Sequence, residues 1–232
     1  MKTASSPYGI TTVFSSTSSV EDVNRTLKIE FAKLNPQESH DLIGSTIAPL
    51  PIALISTIGQ DGTHNAAPYS FVAPICSKPA LICVSFGMKR GQKKDTLRNI
   101  EFSRDFVINV VDDTLIAKAV EAAGEYPSNV DEIKKVGLTA LKSERVKSPR
   151  IAEAKVNLEC RLVQKLEIPD GPPESQTLRS IVIGEVLLAH IKDDVWVKGS
   201  IDPSRLRAVG RVGTDRYCKV ENAFEIKRPE IK

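Results

Sequence analysis

Between Pro51 and Asn99 the apolar positions fall into three short runs separated by turn residues. Ile52-Ala53-Leu54-Ile55 continues into Ser56-Thr57-Ile58, an almost unbroken apolar run that predicts a strand buried on both faces. Gly59-Gln60-Asp61-Gly62 predicts a hairpin, because glycine accepts the positive φ that tight turns demand. The returning strand carries Asn65-Ala66-Ala67-Pro68-Tyr69-Ser70-Phe71, and its internal proline predicts an edge, a bulge or an interruption. After a Ser77-Lys78-Pro79 turn, residues 80–86 predict a third strand and residues 106–111 a fourth. Between those two lie a basic polar loop over 87–93 and a helix through Thr96, Leu97, Asn99 and Ile100, with Asp95 as its N-cap.

The C-terminal third is again rich in strands. Val156, Leu158, Cys160 and Leu162 alternate with Asn157, Glu159 and Arg161, which predicts a strand with one wet face. Residues 169–173 predict an exposed loop, residues 180–191 a long strand with a bulge at Gly184, and residues 223–226 a final short strand. Helical signals are sparse. They comprise a turn over 36–45 ending at Gly44, a helix over 115–123, and a short helix led by Ser128-Asn129-Val130-Asp131 and ending before Gly137. Residues 23–34 suit a strand or a short helix, and the Ser/Thr-rich residues 1–20 read as a loose arm that orders on a partner subunit. The chain divides into an N-terminal arm, 1–35, and one domain, 36–232. Many strands, few helices and no βαβ rhythm predict a mainly β fold, an antiparallel barrel with peripheral helices.

Composition narrows the function classes. With 41% hydrophobic and 26% charged residues in 232, the chain suits a globular domain of ordinary core size. A net charge of +3, spread along the chain, gives no case for nucleic acid. Four cysteines without a C-x-x-C predict free thiols in a reducing compartment, and three separated histidines predict no metal site. No apolar run approaches the roughly 20 residues of a membrane span, and no signal-peptide core is visible, so the expected location is cytoplasmic.

The ordered set in the central stretch suits a phosphorylated planar ligand, and we read it as a site for a flavin nucleotide. A phosphate wants a cation, hydroxyls and backbone N–H groups near a helix start; Lys94, Thr96, Ser56 and Thr57 supply these. Asp95 would repel the phosphate and is assigned to capping. The ring wants flat apolar contact and backbone groups along its polar edge, for which residues 65–71 stand ready: Asn65, Ala66, Ala67, Pro68, Tyr69, Ser70 and Phe71. Asn99 lies one turn beyond Thr96 on the same helix. His190 is the candidate acid/base, or else a strand histidine making a structural hydrogen bond.

These motifs resemble the flavin reductase-like family with the FMN-binding split barrel. The branch includes flavoredoxin and the reductase component of nitrilotriacetate monooxygenase. The likeness rests on residues 51–57, 62–71, 77–79 and 94–100, with further matches at Gly137-Leu138-Thr139, Pro149-Arg150-Ile151, Gly184-Glu185-Val186 with His190, and Ile201-Asp202. It spans about residues 41–217 and implies a Greek-key-like split barrel and a homodimer. FMN would lie near the dimer interface, with Arg211, Gly213 and Tyr217 beside the flavin or the dimer contact. It further implies NADH or NADPH as donor and a monooxygenase or another redox protein as partner. A flavoredoxin-like carrier and a non-catalytic flavin-binding module remain alternatives. Four positions depart from the family pattern: Leu50 replaces an arginine, Val72-Ala73 a Phe-Asn pair, and Ala80 a second proline.

Overall fold

Ala53–Ile58 (β1) and His64–Tyr69 (β2) form the expected hairpin, turning through Gly62 at φ 83°. The structure, a computed structural model, describes residues 2–5, 11–14, 26–169, 178–220 and 222–229. Further strands are Val72–Ser77 (β3), Ala80–Phe86 (β4), Asp105–Val110 (β5), Val156–Pro169 (β6) and Leu178–Ile191 (β7). They make one antiparallel sheet in the order β2-β1-β5-β6-β7-β4-β3.

That order forces closure. The two outer strands, β2 and β3, are consecutive in the chain and joined only by Ser70 and Phe71. A flat sheet would hold them about 29 Å apart at ~4.8 Å per strand, whereas the linker reaches no more than about 11 Å. The sheet therefore curls until its edges meet. Since β2 and β3 do not pair with each other, the result is a split barrel.

Side chains of alternate positions fill the interior: Ala53, Ile55, Tyr69, Val84, Phe86, Phe106, Ile108, Cys160, Leu162 and Val182. Helix Asp95–Ser103 (α2) adds Leu97 and Ile100 to the same core. On the outer side of β1 and β2, Leu54 and Ala66 pack beneath helices Ile116–Glu121 (α3) and Glu132–Lys135 (α4), with Ala119 and Ile133. This second layer is why β1 is apolar on both faces.

Several expectations change. Residues 36–45 form a full helix, Pro36–Thr46 (α1), fixed by a reciprocal capping box between Asn35 and Glu38 (both 2.9 Å). Gly44 lies inside it, where the Gly213 N–H donates to its carbonyl (3.1 Å). Of residues 23–34, those described contain one 3₁₀ turn, Phe31–Lys33. Helix α2 starts one residue earlier than expected, with Lys94 as N-cap and Asp95 already helical. For α4 the cap is Asp131, whose side chain accepts from the Lys134 N–H (3.1 Å). The supposed wet face of β6 is largely covered: Asn157 and Glu159 are buried under residues 144–151, and Arg161 alone of the three is exposed.

Residues 223–226 are not a strand. The final ladder instead joins Leu50–Pro51 to Val209–Val212 (β8) and β8 to Arg216–Lys219 (β9). The extra residues in the β6–β7 ladder are Val163 and Leu187 rather than Gly184. Gly184 answers a different need, since a Cβ there would overlap the buried Phe106 ring. Most of the expected arm, and residues 170–173 of the expected loop, lie outside the described residues; Lys2–Ser5 and Thr11–Phe14 pair as an antiparallel ladder.

Gly184→Ala should lower stability by about 1–3 kcal/mol through overpacking against a ring that has no room to retreat. Chemical denaturation of the two proteins checks this, and an unchanged midpoint would refute the packing role.

Candidate functional site

Barrel closure brings the outer edge of β2 beside the start of α2, and a cleft follows that line. One cavity of about 400 Å³ is lined by Asn65, Ala67, Pro68, Tyr69, Lys94 and Thr96, facing Ala122-Ala123-Gly124 and Glu132. A second, of about 340 Å³, shares Pro68, Tyr69, Lys94 and Ala123 and continues to Ser70, Arg211 and Tyr217. A third, of about 310 Å³, shares Asn65 and Asp95 with the first and reaches Asn99.

Proline fits inside β2 for a geometric reason. The Ala66 N–H points away from β1, to the Glu132 carboxylate at 2.9 Å. Two residues on, the Pro68 nitrogen faces the same way, so no ladder bond is lost. The strand thereby presents the cleft with carbonyl acceptors and few donors, an edge that also resists pairing with another strand.

Asn65 is the node of the cleft wall. Its Oδ1 accepts from the hydroxyls of Thr96 (2.8 Å) and Thr57 (3.2 Å), and its Nδ2 donates to Glu132. Asn99 Nδ2 donates in turn to Thr57 (3.1 Å). The Thr96 hydroxyl proton is thus committed to Asn65. No side chain caps α2, so the backbone N–H groups of its first turn are free to meet an anion.

Lys94 places its ammonium 5.3 Å from the Tyr69 ring centroid, and the Tyr69 ring leans on Phe86 at 4.6 Å. Burial lowers the Lys94 proton affinity, with Arg179 and Lys89 adding to the effect. Tyr69 is pushed well above the usual phenol range, chiefly by burial. Burial also raises Glu132, to about 7, against the opposing hydrogen bonds from Ala66 and Asn65. Asp95 pairs with Arg98.

Not every expected residue reaches the cleft. Ser56 and Thr57 alternate across β1 and so face opposite layers. Ser56 donates to the Pro149 carbonyl and accepts from Asn109 (2.9 Å), wholly buried in the outer layer. Thr57 is equally buried and reaches the cleft through Asn65 and Asn99. Ala66 is an outer-layer core residue that offers backbone alone. Phe71 stacks on His40 at 5.2 Å, outside the three cavities. Arg211 is bound to the Thr214 carbonyl (2.9 Å from Nε) at the far end of the cleft, opposite Tyr217 in register.

His190 lies away from this cleft, in the setting its alternative reading, a strand histidine making a structural hydrogen bond, describes. It lines a separate cavity with Arg150 and Lys155, and its Nε2 lies 2.6 Å from the buried Glu159 carboxylate. Glu132, conversely, was not foreseen. Its partners Asn65 and Ala66 lie 67 and 66 residues away in sequence, so only the N-terminal position on a short helix marks it.

An antiparallel split barrel with a cleft along one edge strand defines the class of protein. The chain belongs to the flavin reductase like domain family, whose model matches residues 45–202. An uncharacterized protein of Halalkalibacterium halodurans is 34% identical over 205 residues, covering 86% of this chain and 97% of its own. Nitrilotriacetate monooxygenase component B from Bacillus cereus superposes with a TM-score of 0.82 at 31% identity, over 88% of this chain and 100% of that one. A protein of Shewanella frigidimarina NCIMB 400 with a split barrel domain matches at TM-score 0.74 and 20% identity, over 93% and 100% of the two chains, a likeness of fold alone. No helix among the described residues is long and apolar enough to cross a membrane.

His190→Gln tests the reassignment. Glu159 is raised by burial, but the Glu144 and Arg145 N–H groups and His190 outweigh this and hold it below the usual carboxylate range. A depressed carboxyl stabilises the fold above its unfolded pKa and loses that contribution as pH falls through the folded value. The variant should lose about 1 kcal/mol at neutral pH and show a shallower acid loss, because Glu159 then titrates closer to its unfolded value. Ligand binding should stay at the wild-type level; denaturation at several pH values together with a binding titration checks both.

Proposed function

We propose that this chain binds FMN in the β2–α2 cleft and passes electrons from NADH or NADPH to an acceptor, such as a partner monooxygenase. The observation that carries the reading is the meeting of a donor-poor strand edge with an uncapped, lysine-led helix start in one cleft. The 31% identity with a monooxygenase component B supports a monooxygenase as the partner.

The residues fit an FMN molecule. Lys94 and the first N–H groups of α2 suit the phosphate, since a cation and helix N-terminal amides act together on an anion. Thr96 contributes backbone there, its hydroxyl proton being held by Asn65. Ala122, Ala123 and Gly124 offer a low wall against which a flat ring can lie. The Ala66 and Pro68 carbonyls supply acceptors along the strand edge. Arg211 and Tyr217 border the adjoining cavity, where a second ligand would approach. Bound flavin supplies the hydride and electron chemistry, and the protein supplies position and exclusion of water.

The dimer expected from the family has a fitting surface. An apolar groove of about 370 Å³ runs between Pro49, Leu50, Val72, Pro74, Ile82, Val209 and Val220, with Ile75 half exposed on β3. In this reading it faces a second copy and shields the edge of β3. The cytoplasmic location and the arm–domain division at Asn35 belong to the same proposal.

Purified protein, loaded with FMN, should be yellow and bleach under anaerobic NADH or NADPH. Bleaching by dithionite alone favours a flavoredoxin-like carrier or a non-catalytic module, and failure to quench FMN fluorescence sinks the flavin reading. Lys94→Met should weaken FMN roughly tenfold or more, the worth of one charge-assisted phosphate contact. Fluorescence titration measures it.

A further inference from the structure

Glu132 lines the cleft without a part in the binding just described. It is 8% exposed, and its Oε2 receives both the Asn65 Nδ2 and the Ala66 N–H (2.9 Å). Oε1 takes no hydrogen bond from the described residues, and it is not among their sealed polar atoms, so it opens onto the cleft. Among the described residues, no lysine, arginine or histidine nitrogen stands within 4.0 Å of this carboxyl to neutralise it.

The charges around it are divided between other partners. On its own helix, Asp131 pairs with Lys134 (3.2 Å). From β2, His64 lies 3.7 Å from the same Asp131. From α2, Asp95 faces the cleft but is bound to Arg98, and Lys94 sits over Tyr69. From the 88–93 hairpin come Lys89 and Arg90, the latter held by Glu125 beyond α3.

We propose that Glu132 is a protonation-linked positioning residue whose carboxyl is neutral when the cleft holds an anionic flavin nucleotide, so that binding takes up a proton. This rests on the flavin reading of the cleft. An ionised Oε1 beside Asp95 would repel an anion in a partly dry pocket, where charges are poorly screened. A neutral carboxyl turns the same atom into a donor, suited to an acceptor on a ring edge, while Oε2 keeps the Asn65 and Ala66 bonds. Asn65 therefore stays oriented in both states, and only the cleft-facing atom changes character. Burial raises the free carboxyl to about 7. If the complex holds the proton more tightly, affinity is steady below that pH and falls above it, approaching about tenfold per pH unit.

Calorimetry of FMN binding at pH 7.5, in two buffers of different ionisation heat, counts the protons. Wild-type protein should take up a proton and bind more weakly as pH rises from 7 to 8.5. Glu132→Gln should show neither uptake nor the slope. Equal uptake in both proteins overturns the assignment and places the proton elsewhere. Should the variant fail to fold, Lys94→Met decides, because loss of the Lys94 proton also weakens anion binding as pH rises: proton uptake that persists there supports the assignment, and uptake that disappears overturns it. Preference for the dianionic phosphate makes affinity rise with pH, the opposite sign, so a rising or flat profile overturns the proposal and a falling one supports it. Wild-type protein that binds FMN without proton uptake overturns this inference only. If neither protein binds FMN at any pH, the flavin reading itself goes, and this one with it.

Discussion

The two-residue link between β2 and β3 is the constraint on which the rest of the molecule depends. Because Ser70 and Phe71 cannot span a flat seven-stranded sheet, the sheet closes, and its two edges become neighbours. Closure gives β1 two buried faces, one toward the barrel and one toward α3 and α4. It also leaves β2 with one unpaired edge inside a cleft rather than on open surface. An edge strand is ordinarily a liability. Here Pro68 removes a donor from it, and Glu132 occupies the Ala66 N–H.

Local signals were legible wherever short-range chemistry settles the structure. The β1–β2 hairpin, β4, β5 and the start of α2 to within one residue all follow from turn residues and apolar runs. β3 escaped because its exposed residues and Pro74 give no alternation to read. The extent of α1 was missed because Gly44 looks like a stop signal. In the structure that position continues the helix, and its carbonyl accepts from the Gly213 N–H. Residues 223–226 have strand-like apolar content, but none of the described residues pairs with them, and β8–β9 takes the place at the sheet beside Leu50.

In the site, residue type was legible and direction less so. Ser56 and Thr57 are adjacent hydroxyls in sequence, yet strand geometry sends them to different layers. That much follows from period two alone, once both faces of β1 are known to be buried. The attachment of Asn65 to Glu132 had no comparable signal, since it joins segments nearly seventy residues apart through the packing of α4 on β2. His190 is a strand histidine whose partner is a second buried carboxylate, Glu159, beside a separate cavity.

Proton accounting around Asn65 limits what the cleft can offer. The two hydroxyls of Thr57 and Thr96 both donate to Oδ1, so that atom is saturated, and neither proton is available to a ligand. Reversing the amide would set Nδ2 against two hydroxyls and Oδ1 against the Glu132 carboxylate, an arrangement with two acceptors facing each other. Glu132 therefore fixes the orientation of Asn65. Asn65 in turn directs the Thr96 hydroxyl inward and leaves the helix start to act through its amides. Among the described residues, the donors the cleft can turn toward an anion are then Lys89, Lys94 and the backbone of α2, supplied by the basic loop and the helix that follows it.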